Sequence, residues 1–526
     1  DSATNSIVRY GTVAGALTQT ASSTASVTQH EVLLKGLQPN TKYFYAIGSS
    51  SQTLAQGADY AFVTAPPVGT KGPTRLWVLG DAGTADAKQQ AVRDAMLGEI
   101  SKSGRDISLW LMLGDNAYKS GTDAEYQKAV FEIYQPFLRT RPLWPTLGNH
   151  DGGSADSASQ KGPYYDIFVL PKQGEAGGLP SGTEAYYAFD YANIHFLCLD
   201  SHETPRGASD PMLRWAKEDA AATTQDWIIA FWHHPPYSKG SHDSDDESQL
   251  VEMRENALPL LEAAGVDLVL SGHSHSYERS YFLNGAYGTP TTVAGHLVDA
   301  GDGREDGQGA YKKPGSAAGK GAVYAVAGSS GKTSGGSLNH PAMHVSLDAL
   351  GSMVLDINGL RLDAFFLNDA GARQDHFTIV KGAGGTPQPT PVPPAPPAPQ
   401  PAPPAPQPAP PAPLVALMAS PLSITAGQRS TVRWGTARAT ACVASGGWTG
   451  DKPMAGYESV QPTSTAVYTL TCTGAGGPAS KSVTVTVRNG RPSPAPPGPS
   501  PAPPAAPTPP APAPPHSAST TPHSSR

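Results

Sequence analysis

Eight side chains able to bind metal ions follow apolar segments between residues 81 and 275. They combine carboxylate, amide and phenol oxygens with imidazole nitrogens, and they are Asp81, Asp115, Tyr118, Asn149, His150, His233, His273 and His275. Mixed oxygen and nitrogen donors suit hard or borderline metal ions, in contrast to the thiolates of a zinc finger. A carboxylate can bridge two ions about 3.5 to 4 Å apart, and such a pair can stabilise the attacking and leaving oxygens of a phosphoryl transfer. These residue types therefore predict a two-metal centre.

The segments before these residues are typical of buried strands in an α/β scaffold. An apolar run that ends in a polar residue indicates a strand whose carboxyl end emerges into a ligand-binding loop. Five runs fit this description: RLWVLG before Asp81, SLWLMLG before Asp115, PTLG before Asn149, WIIAFW before His233 and LVLSG before His273. Helical periodicity predicts helices over 86–100 and 247–264, the second ended by Gly265. Runs after Gly321 predict further strands that complete a sheet near Lys381.

Each candidate ligand also has a simpler interpretation when it is taken alone. An aspartate after a glycine is usually a turn or helix-capping residue, and Tyr118 alone is more often a half-buried aromatic. The GHSH segment alone is compatible with a polar loop. The joint pattern reverses these odds, because the order, the residue types and the strand context all agree.

The series resembles the motifs of the metallophosphoesterase superfamily and, within it, of the purple acid phosphatases. The matching motifs are GDAG with Asp81, GDNAY with Asp115 and Tyr118, GNHD with Asn149 and His150, FWHHPPYS with His233, and GHSH with His273 and His275. Other branches of the superfamily usually have Asp-x-His in the first motif. Here Gly83 occupies the histidine position, and Tyr118 is the compensating ligand. The resemblance covers roughly residues 1 to 382.

The resemblance implies two ligand sets that share Asp115. The first metal would be bound by Asp81, Asp115, Tyr118 and His275, and the second by Asp115, Asn149, His233 and His273. A phenolate is a hard anionic donor, so Tyr118 favours Fe(III) in the first position, with Zn, Fe or Mn as a second, divalent ion. The family places its ligand two residues before a proline, as His233 stands to Pro235, which favours His233 over His234.

The same resemblance implies catalytic roles for three more positions. His150 and His242 would bind the phosphate and protonate the leaving group, while Asp151 would tune the pKa of His150. His242 lies in the polar segment SHDSDDE, which a solvated loop explains as well. The implied reaction is hydrolysis of small phosphomonoesters by attack of a metal-bound hydroxide. Two alternatives stay open, namely a phosphodiesterase or nucleotidase on the same centre, and a surface-binding protein with a vestigial phosphatase fold.

The predicted fold class is α/β, with an αββα metallophosphoesterase domain between two β-sandwiches. The predicted domains are a fibronectin III-like domain (1–66), the catalytic domain (72–382), a proline-rich linker (383–413), an Ig-like domain (414–489) and a disordered proline-rich tail (490–526). The segment LKGLQPNTKYFY resembles the end of a fibronectin type III domain, which should have further strands before SIVRYGT. We therefore expect the N-terminal domain to be incomplete, and a start at Asp1 to indicate a processed protein or a fragment.

Composition excludes some partners and indicates a compartment. The net charge of -7 without a basic block argues against nucleic acid, and no apolar run approaches a membrane span. Cys442 and Cys472 predict a disulfide in the Ig-like module and hence a secreted protein, extracellular or periplasmic, whereas Cys198 is predicted to be an inert core thiol. The module itself is expected either to contact a wall, polysaccharide or matrix, or to be an inert appendage.

Overall fold

The computed structural model describes residues 2–289, 293–314, 321–382 and 413–488. The chain divides into two compact units, Asp1–Thr390 and Pro391–Arg526. The predicted linker (383–413, apart from Pro413) and the predicted tail (490–526) lie outside the described residues. None of the helices in the described part of the chain has the length and hydrophobicity needed to span a bilayer.

The N-terminal region forms one antiparallel sheet. Its strands are β1 (Thr4–Gly11), β2 (Gln19–Val27), β3 (Lys42–Gly48), β4 (Thr53–Ala55) and β5 (Ala61–Val63). The order is β2-β1-β3-β4, and β5 pairs with β3. Residues 2–64 therefore form one sheet, and not both sheets of the predicted sandwich. The Tyr45 hydroxyl donates to the Arg139 carbonyl at 2.8 Å, which connects this sheet to the region that follows it.

Sixteen strands follow in the described residues between Thr74 and Lys381. They are β6 (Thr74–Leu79), β7 (Leu109–Met112), β8 (Leu143–Pro145), β9 (Tyr187–Tyr191), β10 (Ile194–Cys198), β11 (Trp227–Phe231), β12 (Leu268–Ser271), β13 (Tyr277–Ser280), β14 (Phe282–Leu283), β15 (Leu297–Asp299), β16 (Tyr311–Lys313), β17 (Val323–Ala327), β18 (Met343–Leu347), β19 (Gly351–Asn358), β20 (Arg361–Asn368) and β21 (Arg373–Lys381). Four of the five strands predicted before candidate ligands are present as predicted, whereas the one before Asn149 is shifted, since β8 ends at Pro145 and the predicted segment PTLG begins there. The last strand ends at the predicted residue.

Two seven-stranded sheets contain most of these strands. One has the order β16-β21-β20-β19-β6-β7-β8, and the other has the order β18-β13-β17-β12-β11-β10-β9. Strands β6, β7 and β8 are mutually parallel, as are β10, β11, β12 and β17. Parallel strands run in one direction, so their carboxyl ends share one edge of each sheet. The predicted ligands come directly after the strands at this edge.

Alternate residues of the second sheet enter two hydrophobic clusters. Phe196, Ile229 and Leu270 pack with residues of the first sheet, while their neighbours Leu197 and Ala230 pack with helical side chains on the opposite face. This period of two is what a strand buried on both faces requires. The Cys198 thiol lies in the first cluster, and burial raises its pKa to about 12, as expected of an inert core thiol.

The helices flank the sheets and connect the strands. They are α1 (Ala87–Ser103), α2 (Asp123–Tyr126), α3 (Gln135–Leu138), α4 (Pro163–Ile167), α5 (Pro211–Ala222), α6 (Ser248–Glu252) and α7 (Leu258–Ala264). The Asp86 side chain caps α1 by accepting from the Lys88 and Gln89 amides, close to the predicted start. The second predicted helix is α6 and α7 joined by a π-helical turn (Met253–Ala257), and it ends at Gly265 in the left-handed conformation.

The second unit is all β in its described residues, 413–488. Its strands are β22 (Leu414–Ser420), β23 (Ser423–Thr425), β24 (Ser430–Ala437), β25 (Ala441–Gly446), β26 (Gly450–Lys452), β27 (Ala455–Val460), β28 (Ala466–Gly474) and β29 (Gly477–Arg488). They form sheets with the orders β22-β24-β27 and β23-β29-β28-β25-β26. The predicted disulfide joins Cys442 and Cys472, directly opposite each other on β25 and β28. The assignment to the Ig-like class stays a prediction.

Candidate metal centre

The predicted ligands meet at the carboxyl edge of the parallel strands. Asp81 follows β6, Asp115 follows β7 and Asn149 follows β8, while His233 follows β11 and His273 follows β12. Asp81, Asp115 and His273 have φ angles of 55°, 52° and 64°, in the left-handed region that non-glycine residues avoid. Such conformations cost about 1 to 3 kcal/mol each and concentrate at functional sites. Three of the five strand ends are therefore held in a strained conformation that turns the chain into the site.

Glycines in the motifs allow the strand ends to approach closely. A Cβ on Gly114, where φ is 89°, would lie 2.5 Å from His233 Nδ1. A Cβ on Gly148 would lie 2.1 Å from the Asp115 amide nitrogen and 2.4 Å from Asp115 Oδ1. Real side chains do not tolerate such distances, so both positions require glycine for packing. The Gly in GDNAY and the Gly in GNHD are thus part of the site geometry.

Three donor atoms of the first predicted ligand set lie close together. The Tyr118 hydroxyl is 3.2 Å from Asp81 Oδ1 and 3.4 Å from His275 Nε2. His275 Nε2 is 3.5 Å from Asp81 Oδ1. Donors about 2.0 to 2.2 Å from one metal ion stand roughly 3 to 3.5 Å from one another. This side of the site therefore has the spacing of a metal-binding set.

The second predicted set converges in the same way. Asn149 Oδ1 is 3.0 Å from His233 Nε2 and 2.9 Å from His273 Nδ1, and these two nitrogens are 3.2 Å apart. Asp115 Oδ1 is 3.4 Å from His233 Nε2. The Tyr118 hydroxyl also interacts with Asp115. Asp115 therefore lies between the two donor groups, as a bridging ligand must.

The acidic donors are buried, and buried acids need a nearby positive charge in order to ionise. Burial raises the pKa of Asp81 to about 7, and it raises the pKa of Tyr118 well above its usual value of 10.0. Burial opposes ionisation of Asp115 as well, but His233 and His150 together hold its pKa below the usual range. Buried carboxylates and phenols ionise readily only when a positive charge compensates them. The donor set thus fits a pair of metal ions, with Asp115 as the anion shared between them.

The two neighbouring histidines after β11 have different surroundings. His233 Nδ1 donates to the Leu113 carbonyl at 2.8 Å, which leaves Nε2 free to face the other donors. His234 Nδ1 contacts Ser201 Oγ at 2.9 Å, and its ring lies 4.3 Å from that of His273. His234 nonetheless has a ligand-capable nitrogen near those of His233 and His273. The tautomer of His233 supports the predicted choice, while the position of His234 keeps the alternative open.

The two predicted catalytic histidines contact different residues of the donor groups. His150 Nδ1 donates to the Lys119 carbonyl at 2.6 Å, and its ring packs nearly perpendicular to the Tyr118 ring with the ring centres 4.5 Å apart. His242 Nδ1 contacts Glu247 Oε1 at 2.9 Å, and its ring lies 3.7 Å from that of His273. Hydrogen bonding at Nδ1 leaves Nε2 of each ring available. The loop of His242 is therefore packed onto the site, and it is not simply a solvated segment.

Asp151 has a different environment from the one expected. Its buried carboxylate accepts from the Tyr126 hydroxyl at 2.7 Å, the Gly148 amide at 2.9 Å and the Asn116 amide at 3.1 Å. None of its hydrogen bonds within the described residues reaches the His150 ring. These contacts bind the GDNAY loop to the GNHD loop, and the predicted influence of Asp151 on His150 stays a prediction.

Two residues at the site have no counterpart among the sequence-based candidates. Glu247 Oε2 is 3.4 Å from His273 Nε2, and the hydrogen bond from His273 helps to lower the pKa of Glu247 to about 2. The Lys332 ammonium stands 3.8 Å from the centre of the Tyr118 ring. Glu247 comes five residues after His242, a spacing that gives some sequence signal, whereas Lys332 lies in the Gly- and Ser-rich loop GSSGKTSGG, which gives none.

Comparisons with known proteins agree with this geometry. A sequence model of the calcineurin-like phosphoesterases matches residues 74–277, and that of the purple acid phosphatase N-terminal domain matches residues 1–64. Probable purple acid phosphatase 20 of Arabidopsis thaliana is 29% identical over 52% of this chain and 62% of its own length. Purple acid phosphatase 21 of the same plant is 32% identical over 48% of this chain and 53% of its own length.

A solved structure shows the same fold. Purple acid phosphatase PPD1 from yellow lupin (Lupinus luteus) seeds superposes with a TM-score of 0.53 at 17% identity, covering 72% of this chain and 70% of that chain. The chain spans 62% and 53% of the lengths of the two Arabidopsis relatives. Residues 74–277 are therefore similar to the calcineurin-like phosphoesterases, and about half of the chain is similar to the purple acid phosphatases. These similarities support the family resemblance predicted from the five motifs.

Separate alanine substitutions at His233 and His234 test the ligand assignment. We expect His233→Ala to lose one metal ion per chain, because it removes the only nitrogen that the Leu113 carbonyl orients into the donor group. The matched variant, His234→Ala, is expected to keep the wild-type metal content. Metal counting by mass spectrometry on the purified, dialysed proteins checks both. Equal metal loss in the two variants would contradict the assignment.

Proposed function

We propose that the first unit hydrolyses phosphomonoesters of small molecules at a two-metal centre. The observation that carries this proposal is the convergence of two donor groups on Asp115, with all candidate metal ligands within the range of donor–donor distances given above. Metal ions bound there would polarise the phosphoryl oxygens and supply an activated water. Asp81, Tyr118 and His275 would bind one ion, Asn149, His233 and His273 would bind the other, and Asp115 would contact both.

The side chains around the donors have the properties that the reaction needs. His150 is held at Nδ1 by a backbone carbonyl, so Nε2 is free to hydrogen-bond a phosphate oxygen. The Glu247 carboxylate orients His242 in the same way, with His242 Nδ1 2.9 Å from Glu247 Oε1. A protonated His242 Nε2 can donate to the leaving alkoxide as a general acid. The chain would thus supply a phosphate contact, His150, and a proton donor, His242.

The donor types also support a proposal for the identity of the ions. The first group contains the phenol of Tyr118 and the carboxylate of Asp81, which together favour Fe(III). The second group contains an amide oxygen and two imidazoles, which suit Zn, Fe or Mn in the divalent state. A phosphodiesterase or nucleotidase would use the same ligands, so substrate tests must distinguish these activities.

The second unit supports narrower proposals about location and organisation. The Cys442–Cys472 disulfide is the kind of bond that persists in an oxidising compartment, which supports secretion to the periplasm or the exterior. We assign residues 72–382 to the catalytic domain and 414–489 to an Ig-like module, consistent with the two compact units. Contact of this module with a wall, polysaccharide or matrix would keep the enzyme near its substrates.

Metal analysis combined with a substrate panel tests the proposed function. The purified chain is expected to contain two ions and to hydrolyse p-nitrophenyl phosphate faster than the diester bis(p-nitrophenyl) phosphate. Removal of the ions with a chelator should abolish hydrolysis, and adding them back should restore it. Preference for the diester would support the phosphodiesterase alternative. Fewer than two ions and no hydrolysis would remove the enzyme hypothesis and leave a binding protein with a vestigial fold.

Substitution of Tyr118 tests the proposed iron ligand. A phenolate bound to Fe(III) produces a visible charge-transfer band, so the wild-type protein should be coloured. Tyr118→Phe is expected to lose this band because it removes the oxygen 3.2 Å from Asp81 Oδ1 and keeps the ring. Tyr164→Phe, at a buried tyrosine that is not among the predicted ligands, is the matched control and should keep the band. A band that survives in Tyr118→Phe would exclude Tyr118 as the ligand.

A further inference from the structure

We propose that Lys332 binds the phosphoryl group of the substrate and that its charge favours monoesters over diesters. This inference rests on the proposed function of the same centre. Lys332 lies in the segment between β17 and β18, outside the motifs that identified the metal ligands. Its ammonium stands over the face of the Tyr118 ring, 3.8 Å from the ring centre. The hydroxyl of that same ring is one of the donor atoms predicted to bind the first metal ion.

The backbone around Lys332 is fixed directly to the metal centre on both sides. Two residues before it, the Ser330 amide donates to the Gly80 carbonyl at 3.1 Å, next to Asp81. Two residues after it, the Ser334 amide donates to the His275 carbonyl at 3.3 Å, and Ser334 Oγ contacts His275 Nδ1 at 2.8 Å. The loop therefore connects the strand end of Asp81 to the loop of His275, with Lys332 midway between the two contacts.

The residue before Lys332 shows how tightly this loop packs. A Cβ on Gly331 would lie 2.7 Å from the Asp81 carbonyl oxygen and 2.8 Å from Thr84 Cγ2. Only glycine allows this approach, and the close packing limits where the Lys332 backbone can move. A half-buried lysine on a fixed backbone places its charge in a restricted region, in contrast to a surface lysine on a flexible loop.

The ammonium has a charge that the protein itself does not pair. Within the described residues, no carboxylate oxygen lies within 4.0 Å of Lys332 Nζ, although Asp81 and Asp115 act on it electrostatically from farther away. Metal ions bound between Asp81, Asp115 and Tyr118 would neutralise those anions. The ammonium would then need another anion, and the anion that enters this centre in each turnover is the phosphoryl group.

The position of His150 indicates where that anion would lie. His150, the predicted phosphate contact, packs nearly perpendicular to the Tyr118 ring with the ring centres 4.5 Å apart, and Lys332 covers the face of the same Tyr118 ring. Both groups therefore contact the same phenol ring, and the hydroxyl of that ring belongs to the first donor group. An ammonium at this distance can contact a phosphoryl oxygen that is not bound to metal. A monoester dianion has more charge for this contact than a diester monoanion, so the lysine favours monoesters.

An alternative role for Lys332 is structural, since a cation near two buried carboxylates would stabilise them without touching substrate. The two roles differ in what they predict for metal content and for ligand affinity. A structural lysine would change the metal content or the iron–tyrosinate band and leave phosphate affinity unchanged. A phosphate-binding lysine would change the affinity for inorganic phosphate at constant metal content.

Calorimetric titration of the metal-loaded full chain with inorganic phosphate separates these roles without requiring turnover. Lys332→Met removes the charge and keeps a side chain of similar length, and Lys332→Arg keeps the charge. The remote, exposed Lys128→Met is matched in charge change and serves as the control. We expect Lys332→Met to weaken phosphate binding about 10- to 100-fold with both ions retained. Lys332→Arg should regain most of that affinity, and Lys128→Met should bind as wild type.

Kinetics on the two p-nitrophenyl substrates complete the test. Lys332→Met should lower kcat/KM for the monoester by a similar factor and for the diester by much less. Wild-type phosphate affinity in Lys332→Met, metal loss in that variant, or equal loss on both substrates would each overturn the proposal. If the wild-type protein binds phosphate through Lys332 but hydrolyses neither substrate, the proposed function fails and the phosphate site stands. If the protein hydrolyses the two substrates at the same rates with and without Lys332, the proposed hydrolase function stands and the proposed role of Lys332 fails.

Discussion

The structure depends on how the negative charge of the buried acidic groups around Asp115 is compensated. Two carboxylates and four imidazoles are buried at the edge where parallel strands end, next to the half-buried phenol of Tyr118 and amide of Asn149. Burial raises the pKa of Asp81 to about 7 and so disfavours its ionised form, whereas His233 and His150 lower the pKa of Asp115. Bound cations would stabilise both carboxylates in the ionised form. The fold therefore concentrates buried acids where cations can compensate their charge.

The backbone of the site is locally strained and closely packed. Asp81, Asp115 and His273 have left-handed backbones, and Gly114 and Gly148 let the neighbouring loops approach closer than any side chain permits. The cost of these conformations, about 1 to 3 kcal/mol per residue, is balanced by the large hydrophobic clusters on both faces of the second sheet. Asp151 adds a further constraint by joining the loops of Asn116 and Gly148. These contacts make the loops rigid, and rigid loops hold metal donors at fixed distances.

The sequence predicted the strands and the donor set because both depend on local pattern. Buried parallel strands are continuous apolar runs, and a ligand at each carboxyl end occupies a fixed place after the run, as Asp81 and His233 do. Contacts between segments far apart in the chain produce no such local pattern in the sequence. Lys332 meets Tyr118 across more than two hundred residues, and the carboxylate of Asp151 turns away from its neighbour His150. The N-terminal region, predicted as a sandwich from strand spacing, is one sheet in the described residues, because spacing does not specify how strands pair.

Anomalous X-ray diffraction from crystals of the purified protein, collected at the iron edge and at the edge of the second metal, tests the central claim most directly. We expect two anomalous peaks about 3.5 to 4 Å apart, one on each side of the Asp115 carboxylate. The iron peak should lie beside Tyr118, Asp81 and His275, and the other beside Asn149, His233 and His273. A single peak, or a pair of peaks without Asp115 between them, would contradict the two-metal centre.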